Sequence, residues 1–416
     1  MSLTITDVVV DGVTTTIRIS EGVIDAVGPD VVADAEDEVI DATGLAAVPG
    51  LVNGHGHAAM TLLRGYGSDL RLHEWLSEKI WPAEAKLTED DVYWGTRLAI
   101  IEMLRSGTTH FFDMYWHPRA VARAAEEMGI RATVGAPLFD GMDPEASTGM
   151  RELAVESLDE LAECGPLITP SLTPHAIYTV SGASLEWVAT LAAERDLVVH
   201  IHLSETRREV EEWMADHDER PAFHLDSRGC LGPKTILAHG CHLDRSELEL
   251  VSERGATVVT NPVSNLKLAG SAIFPYPLAR ECGVAVGLGT DGASSNNSLD
   301  LLADLKVFAL VQKHGAEDPT VAPAEEALAV AQGRHSPLLG GHAIEVGAPG
   351  DLVLIDMRRP EMNPGPLADN LVYAATGAVV HTSVIAGRVV LRDGVVAGEA
   401  ETIDEATRRA ARLTAS

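Results

Sequence analysis

The sequence has 416 residues, 46% of them hydrophobic, and a formal net charge of −31 from 62 acidic and 31 basic side chains. This length suits a barrel-sized domain with a smaller one beside it, and the apolar content is that of a folded globular chain. The acidic excess excludes a phosphate-binding surface, because nucleic acids and anionic membranes are bound by clustered Lys and Arg. We therefore expect a small-molecule ligand, with no nucleic-acid or membrane partner.

The four cysteines, at positions 164, 230, 241 and 282, show no C-x-x-C spacing. They are predicted to be free thiols in a reducing compartment, and not a disulfide framework or a thiolate metal site. The first twenty residues lack a basic region followed by an apolar core, and the chain contains no run of 18 apolar residues. These features predict a soluble, cytoplasmic protein.

Both ends of the chain show the pattern of short β-strands. Residues 3 to 48 alternate apolar and polar side chains in runs such as TITDVVVDG and EVIDATG, and GDLVLIDM and HTSVIAGRVVLRDGVVAG repeat the pattern near the other end. Runs that close on Gly or Asp are typical of hairpin strands. We predict a small composite β-sandwich domain made of residues 1–49 and 347–416.

The central segment, residues 50–346, alternates short apolar runs with longer helical stretches such as DDVYWGTRLAIIEMLRSG. Apolar residues at three- and four-residue spacing mark those stretches as amphipathic helices. The strand-like runs are LVNGHGH, HFFDMY, RATVGAPLFD, PLITPSLTPHA, LVVHIHLSE, TILAHG, TVVTNPVSN and VAVGLGTDG. Eight β/α units predict the α/β class and a (β/α)8 TIM-type barrel, with functional groups at the carboxyl ends of its strands. A doubly wound sheet is the alternative, although no glycine-rich phosphate loop follows the first strand.

Histidines and acidic residues stand at the ends of five of these strands. His55 and His57 end the first, one residue apart, so their side chains project to the same side. The other ends carry His175, His200, His202, Glu205, His239 and Asp291. A lone H-x-H pair is weak evidence for a metal, but five such strand ends on one rim favour a divalent-metal site.

These segments resemble the amidohydrolase superfamily, and within it the 5′-methylthioadenosine and S-adenosylhomocysteine deaminases. The resemblance covers nearly the whole chain, through PGLVNGHGHAAMTLLRG, IWPAEAKLT, TPHAIYTVS, HIHLSET, LAHG, NPVSNLKLA and GLGTDGASSNNSLD. It implies a metal-dependent hydrolytic deaminase of a 6-aminopurine nucleoside (5′-methylthioadenosine, adenosine or S-adenosylhomocysteine) that gives the inosine analogue and ammonia. The chain departs from the family at Gly56, where a threonine usually separates the two histidines.

The resemblance also implies one divalent metal per subunit, zinc in the first place, with iron(II) or manganese(II) as alternatives. The implied ligands are His55, His57, His202 and Asp291. No lysine ends the fourth strand, where binuclear relatives carry a carbamylated bridge, so the site is expected to be mononuclear. His200 competes with His202 as a ligand, and the H-x-x-E spacing to Glu205 favours His202.

Catalytic roles follow from the same resemblance. Asp291 is expected to take a proton from the attacking water, and His239 is expected to hold that water by a hydrogen bond. Glu205 is expected to protonate a ring nitrogen of the purine as C6 is attacked.

Three residues are expected to bind the substrate. His175 would contact the purine, and Glu84 would accept both ribose hydroxyls. Arg151 would bind the carboxylate of S-adenosylhomocysteine, because a guanidinium matches a carboxylate in two hydrogen bonds. Ala136 and Pro137 stand where a further arginine is expected in relatives that act on this substrate, which favours 5′-methylthioadenosine or adenosine.

Two other functions remain open from the sequence. The same metal ligands would serve a triazine chlorohydrolase or aminohydrolase, or a guanine or cytosine deaminase, although HLSE and IWPAEAKLT favour a nucleoside. A catalytically inactive barrel that serves as a scaffold is the other alternative, and the complete set of metal ligands argues against it. We also expect the chain to form a homo-oligomer.

Overall fold

The chain folds around two β-sheets in the computed structural model, which describes residues 2–270 and 272–415. The first sheet contains β1 (Ser2–Val10), β2 (Val13–Ser20), β3 (Val23–Gly28), β4 (Glu38–Asp41), β5 (Leu45–Pro49), β15 (Leu352–Asp356), β16 (Val380–Ile385) and β17 (Arg388–Arg392). The second contains β6 (Leu51–Gly56), β7 (Thr108–Met114), β8 (Arg131–Gly135), β9 (Pro137–Leu138), β10 (Ile168–Pro174), β11 (Val198–Leu203), β12 (Thr235–His239), β13 (Thr257–Thr260) and β14 (Ala285–Leu288).

Helices connect and cover these strands. They are α1 (Leu72–Trp75), α2 (Trp81–Glu84), α3 (Glu89–Arg105), α4 (Pro118–Met128), α5 (Pro144–Ala162), α6 (Gly182–Arg195), α7 (Arg207–His217), α8 (Pro221–Ser227), α9 (Arg245–Arg254), α10 (Pro262–Leu268), α11 (Tyr276–Glu281), α12 (Leu301–Ala316), α13 (Ala324–Ala331), α14 (Leu367–Tyr373) and α15 (Glu399–Thr414). Short 3-10 helices lie at Ala58–Leu63, Pro337–Leu339, Pro360–Met362 and Gly377–Val379, and a π-helical turn lies at Leu76–Ile80. Of the helices formed by the described residues, none combines the length and the apolar character that crossing a bilayer requires.

The first sheet joins the two ends of the chain. Its strands run in the order β17-β16-β15-β5-β1-β2-β3, with β4 beside β1, and β5 pairs antiparallel with β15 in the register Val48↔Val353. Buried apolar side chains of both segments form a hydrophobic cluster of their own, including Ile5, Ile17 and Leu354. The predicted β structure from both termini is confirmed, while the boundaries of the two domains stay a prediction.

The second sheet is a parallel barrel. Strands β6, β7, β8, β10, β11, β12, β13 and β14 follow one another in space as they do in sequence, and β9 pairs only with β10. The first and last strands meet beyond the end of β14, where Asp291 N donates to His55 O at 3.0 Å. Beside this bond the side chain of Asn53 pairs with Thr290, accepting from its amide at 3.0 Å and donating to its hydroxyl at 2.8 Å. The predicted TIM-type barrel is confirmed.

Local sequence sets where the helices begin after the strands. The N-cap side chains of α3, α6, α7 and α9 each accept a hydrogen bond from the backbone N–H three residues later, which satisfies a donor that the helix itself leaves unpaired. These caps are Thr88, Ser181, Thr206 and Asp244. The helices α6, α7 and α9 therefore start soon after β10, β11 and β12, and the loop residues between them lie at the carboxyl rim of the barrel, while α3 follows β6 only after the longer segment 57–88.

Closure of the barrel depends on a close approach at Gly289. A Cβ atom there would lie 2.4 Å from Asn261 Oδ1 and 2.9 Å from both the backbone N and O of His55. Gly56 is different, because its Cβ would meet nothing nearer than Asp291 O at 3.6 Å, an ordinary van der Waals contact. The position where the chain lacks the family's usual threonine thus has room for a side chain.

We predict that Gly289→Ala lowers the melting temperature, whereas Gly56→Ala leaves it close to that of the unmodified protein. The first variant forces a methyl group against backbone atoms, and overpacking of this kind costs about 1–3 kcal/mol. Thermal denaturation of both variants checks this, with Gly56→Ala as the matched control. Equal melting temperatures for the two variants would contradict the close approach of Gly289 to Asn261 and His55.

Candidate active site

A cavity of about 850 Å³ opens at the carboxyl ends of the barrel strands. Most of the residues predicted from the sequence line it: His57, Glu84, His175, His202, Glu205, His239 and Asp291. His55 is fully buried, with its ring centroid 4.9 Å from that of His57 and 4.8 Å from that of His202. Trp75 and Trp81 also contribute to the lining. One predicted residue, Arg151, lies elsewhere.

Four side chains bring one donor atom each to a common point. Oδ1 of Asp291 lies 3.3 Å from Nε2 of His57 and 3.7 Å from Nε2 of His55. Nε2 of His202 lies 3.4 Å from Nε2 of His57. The Nε2 atom of His55 is buried and has no hydrogen-bond partner within the described residues. Three imidazole nitrogens and a carboxylate oxygen fit a divalent metal, which prefers such ligands.

The opposite nitrogens of two of these rings are held by backbone carbonyls. Nδ1 of His57 donates to Met114 O at 2.6 Å, and Nδ1 of His202 donates to His175 O at 2.8 Å. A proton on Nδ1 directs Nε2 toward the other donor atoms. On His57, burial is outweighed by the hydrogen bond and charge of Asp291, which raise its pKa to about 9, so a metal at this Nε2 displaces a proton. The ring orientation is set by carbonyls at the end of β7 and directly after β10.

His200, the competing residue on β11, supports His55 and does not join the cluster. Its Nε2 lies 2.9 Å from Nδ1 of His55. Burial lowers the pKa of His200 to about 3, so its ring is neutral. Burial, followed by the neighbouring histidines, likewise lowers the pKa of His55. A neutral ring is the form that binds a metal, so His55 is suited to be the ligand and His200 to support it by a hydrogen bond.

Asp291 is held in an ionised state. Its Oδ2 accepts hydrogen bonds from Ser264 Oγ at 2.6 Å and Ser295 Oγ at 3.1 Å, and its backbone has a left-handed φ of 62°. Burial opposes its charge, but the hydrogen bond and the charge of His57 lower the pKa of Asp291 below its usual value. A non-glycine residue with this φ is strained, and such strain is found where a side chain must be aimed.

Glu205 and His239 form a second pair beside the cluster. Oε2 of Glu205 lies 3.9 Å from Nε2 of His239, whose Nδ1 contacts Asn265 Oδ1 at 2.9 Å. Burial raises the pKa of Glu205, and the charge of Asp291 adds to the effect. A carboxyl group that keeps its proton closer to neutral pH can serve as an acid.

The other cavity residues are also oriented by local contacts. His175 contacts Thr179 Oγ1 through Nδ1 at 2.9 Å, and Glu84 accepts from Trp116 Nε1 at 3.4 Å. Burial raises the pKa of Glu84. A nucleoside that enters this cavity thus meets a histidine and a largely buried carboxyl group.

Arg151 is not brought to the cavity. On α5 its guanidinium donates to Ser184 Oγ at 3.1 Å and lies over the Trp187 ring at 5.6 Å. The arginine in the cavity lining is Arg119, which donates to Glu160 O at 3.3 Å. Because Arg151 faces away, its predicted contact with a substrate carboxylate has no support from this geometry.

Ser264 and Asn265 are two site residues that the sequence did not reveal. Both lie in NPVSNLKLA, a segment that was noted only for its resemblance, and they contact Asp291 and His239. Small polar residues directly after the seventh strand were the available signal. Their partners could not be inferred, because α10 turns back toward the eighth strand only in the folded chain.

Comparisons with known proteins agree with this geometry. Residues 46–390 match the amidohydrolase family. A 5′-deoxyadenosine deaminase of Methanoregula boonei is 46% identical over 383 residues, which cover 90% of this chain and 86% of that protein. A 5-methylthioadenosine/S-adenosylhomocysteine deaminase of Archaeoglobus fulgidus is 43% identical over 91% of each chain. The zinc-bound structure of an adenosine deaminase from Xanthomonas campestris has a TM-score of 0.92 and 35% identity, covering 99% of this chain and 98% of that one.

We predict that His202→Ala and His200→Ala differ in metal content. The first removes a donor atom and should leave well under one equivalent of metal after desalting. The second removes a support for His55 and should weaken metal affinity by roughly 10- to 100-fold without abolishing binding. Metal analysis and zinc titration of both proteins check this. Full metal retention by His202→Ala would refute the arrangement.

Proposed function

The chain belongs to the amidohydrolase family, and from this we propose that its site removes the 6-amino group of a purine nucleoside by hydrolysis. The observation that carries the proposal is the pairing of Glu205 and His239 beside the converging donor atoms of His55, His57, His202 and Asp291. The names of relatives that are 43–46% identical over most of the chain supply the substrate class, an adenosine derivative. The products are the inosine analogue and ammonia.

The metal centre belongs to the same proposal. His55, His57, His202 and Asp291 would hold one divalent ion, and zinc is supported by the zinc-bound adenosine deaminase structure. When bound, the ion supplies a Lewis acid that lowers the pKa of water from about 15.7 toward 7. The residues around it determine how the water and the purine are placed.

Two side chains handle the attacking water. Oδ2 of Asp291 accepts from Ser264 and Ser295, while Oδ1, the atom directed at the histidines, also accepts from Gly292 N at 2.7 Å. The ionised carboxylate is the base that would take the proton of the water. His239 lies across from it, fixed through Nδ1 by Asn265, and its Nε2 can hold the water by a hydrogen bond. The water is thereby directed at C6 of the purine.

Glu205 supplies the proton that the purine needs. Its raised pKa favours the protonated form, which can donate to a ring nitrogen as C6 becomes tetrahedral, so that negative charge does not accumulate on the ring. When the tetrahedral centre collapses, the proton taken up by Asp291 passes to the amino group, which leaves as ammonia. The proton of the C6 hydroxyl returns to Glu205 as the carbonyl forms. On the substrate side, His175 would contact the purine, and Glu84 would accept the ribose hydroxyls.

The alternatives have less support. A related enzyme acting on a triazine, on guanine or on cytosine would share the metal ligands, but the relatives named above act on nucleosides. An inactive scaffold would not need the complete donor set. The described cysteines form no disulfide bond, which supports the proposed cytoplasmic location. The homo-oligomeric state stays a prediction.

We predict that Glu205→Gln keeps its metal and loses most of its turnover. The amide has nearly the shape of the carboxyl group but cannot donate the catalytic proton, so kcat should fall by about 10²- to 10⁴-fold. Ammonia release from adenosine and 5′-methylthioadenosine, together with metal analysis, measures both effects. Turnover equal to that of the unmodified protein, or no ammonia from any 6-aminopurine nucleoside, would contradict the proposal.

We predict a higher kcat/KM for 5′-methylthioadenosine, 5′-deoxyadenosine or adenosine than for S-adenosylhomocysteine. Among the described residues, four carboxyl groups line the cavity besides Glu205 and Asp291, at positions 84, 89, 156 and 160, against one arginine, Arg119. A substrate carboxylate therefore meets like charge. Arg119→Ala should lower kcat/KM only for S-adenosylhomocysteine. Arg151→Ala is the matched control, because Arg151 lies outside the cavity. A clear preference for S-adenosylhomocysteine would contradict this assignment.

A further inference from the structure

A second acidic side chain, Glu209, lies directly behind Glu205. Its two carboxyl oxygens accept hydrogen bonds from two successive backbone amides, Oε1 from Ser204 N and Oε2 from Glu205 N, both at 2.8 Å. Glu209 is on the first turn of α7, so these bonds tie the start of this helix to the loop that carries Glu205.

These contacts are not those of an ordinary capping box. In that motif the glutamate at the third helical position bonds the amide of the N-cap residue. The helix α9 shows this pattern, with Glu247 accepting from Asp244 N at 3.2 Å. In α7 the N-cap is Thr206, whose amide also interacts with the Glu209 carboxyl, but the two bonds of 2.8 Å run to the residues before it, Ser204 and Glu205. The extra reach places its carboxyl group under the loop of the active site.

The loop requires such support. Ser204 has a left-handed φ of 51°, which is strained for a residue with a Cβ atom. Among the described residues the carboxyl group of Glu205 has no hydrogen-bond partner, and it lies 3.9 Å from His239 Nε2. The direction of this side chain is therefore determined by its backbone, and Glu209 holds that backbone on two sides.

We propose that Glu209 is a positioning residue, which fixes the backbone of Ser204 and Glu205 so that the Glu205 carboxyl faces His239 and the substrate. The proposal deepens the proposed function and rests on it. It concerns the position of the proton donor and gives Glu209 no contact with the purine.

The protonation state of Glu209 affects this support. Only the ionised carboxylate accepts a hydrogen bond at both oxygens, because a protonated oxygen would face an amide N–H with its own hydrogen. Burial, followed by the charge of Glu205, raises the pKa of Glu209 to about 7. Glu205 and Tyr178 are the ionisable groups facing it. Both bonds are thus present above about pH 7, and one is lost as the pH falls through that value.

The test compares Glu209→Gln with the unmodified metal-loaded enzyme. The amide fills the same space but presents an NH2 group to one of the two backbone amides, so one bond is lost at every pH. We expect full metal content, and a kcat for adenosine that is roughly 10- to 100-fold lower at pH 8, with KM little changed. We expect kcat of the unmodified enzyme to rise as the pH passes through about 7 and Glu209 ionises, and this rise should be absent in the variant.

Glu247→Gln provides the matched control. It also removes a buried glutamate from the third position of a helix, where Glu247 accepts from Ala222 N at 3.0 Å and pairs with Arg220. A structural effect shared by both variants would lower the melting temperature of each. Only Glu209→Gln should change kcat and the pH profile.

Hydrogen exchange separates this proposal from the proposed function. A peptide covering residues 203–206 should exchange faster in Glu209→Gln than in the unmodified protein, whether or not any nucleoside is deaminated. Unchanged exchange, an unchanged kcat, or a loss of activity that only follows a loss of metal would overturn the positioning role. If residues 203–206 exchange faster in Glu209→Gln but the unmodified enzyme releases no ammonia, the deaminase assignment is overturned and the positioning role is not.

Discussion

The hydrogen bond between Asp291 N and His55 O is the contact on which the site depends. Asp291 and His55 are 236 positions apart in the sequence, and they meet only because the eight parallel strands curve round until the first lies beside the last. The pair formed by Asn53 and Thr290 reinforces this contact from the same two segments. Closing the barrel and assembling the candidate metal ligands are consequently one event.

Burial of so many ionisable groups at one point is expensive unless each group has a partner. The chain meets this requirement by giving His57 and His202 a backbone carbonyl each, and Asp291 two serine hydroxyls. Of the four atoms that face one another, Nε2 of His55 has no hydrogen-bond partner among the described residues. Buried polar atoms that face one another in this way would destabilise an apolar core, but they are suited to bind a cation.

The sequence predicted those parts of the molecule that depend on the order of strands. Because all parallel strands of a barrel end on one rim, the positions of His55, His175 and Asp291 followed from the pattern of strands alone. The direction of Arg151 could not be inferred because a residue on a helix can face either way, and its partner Ser184 comes from the next helix. The hydrogen bonds to Asp291 Oδ2 and those that Glu209 accepts from two backbone amides could not be predicted for a related reason. Each depends on how a loop turns over distances of a few ångströms.

The acidic lining of the cavity has a consequence for discrimination among adenine compounds. Glu156 and Glu160 lie on its wall near Arg119, in a protein whose formal charge is −31. A phosphorylated adenosine approaches against this field and must pass those carboxylates, and the repulsion inside a partly closed cavity is screened less than at an open surface. The barrel can consequently admit an uncharged nucleoside from a solution rich in nucleotides while the nucleotides themselves compete poorly for the same space.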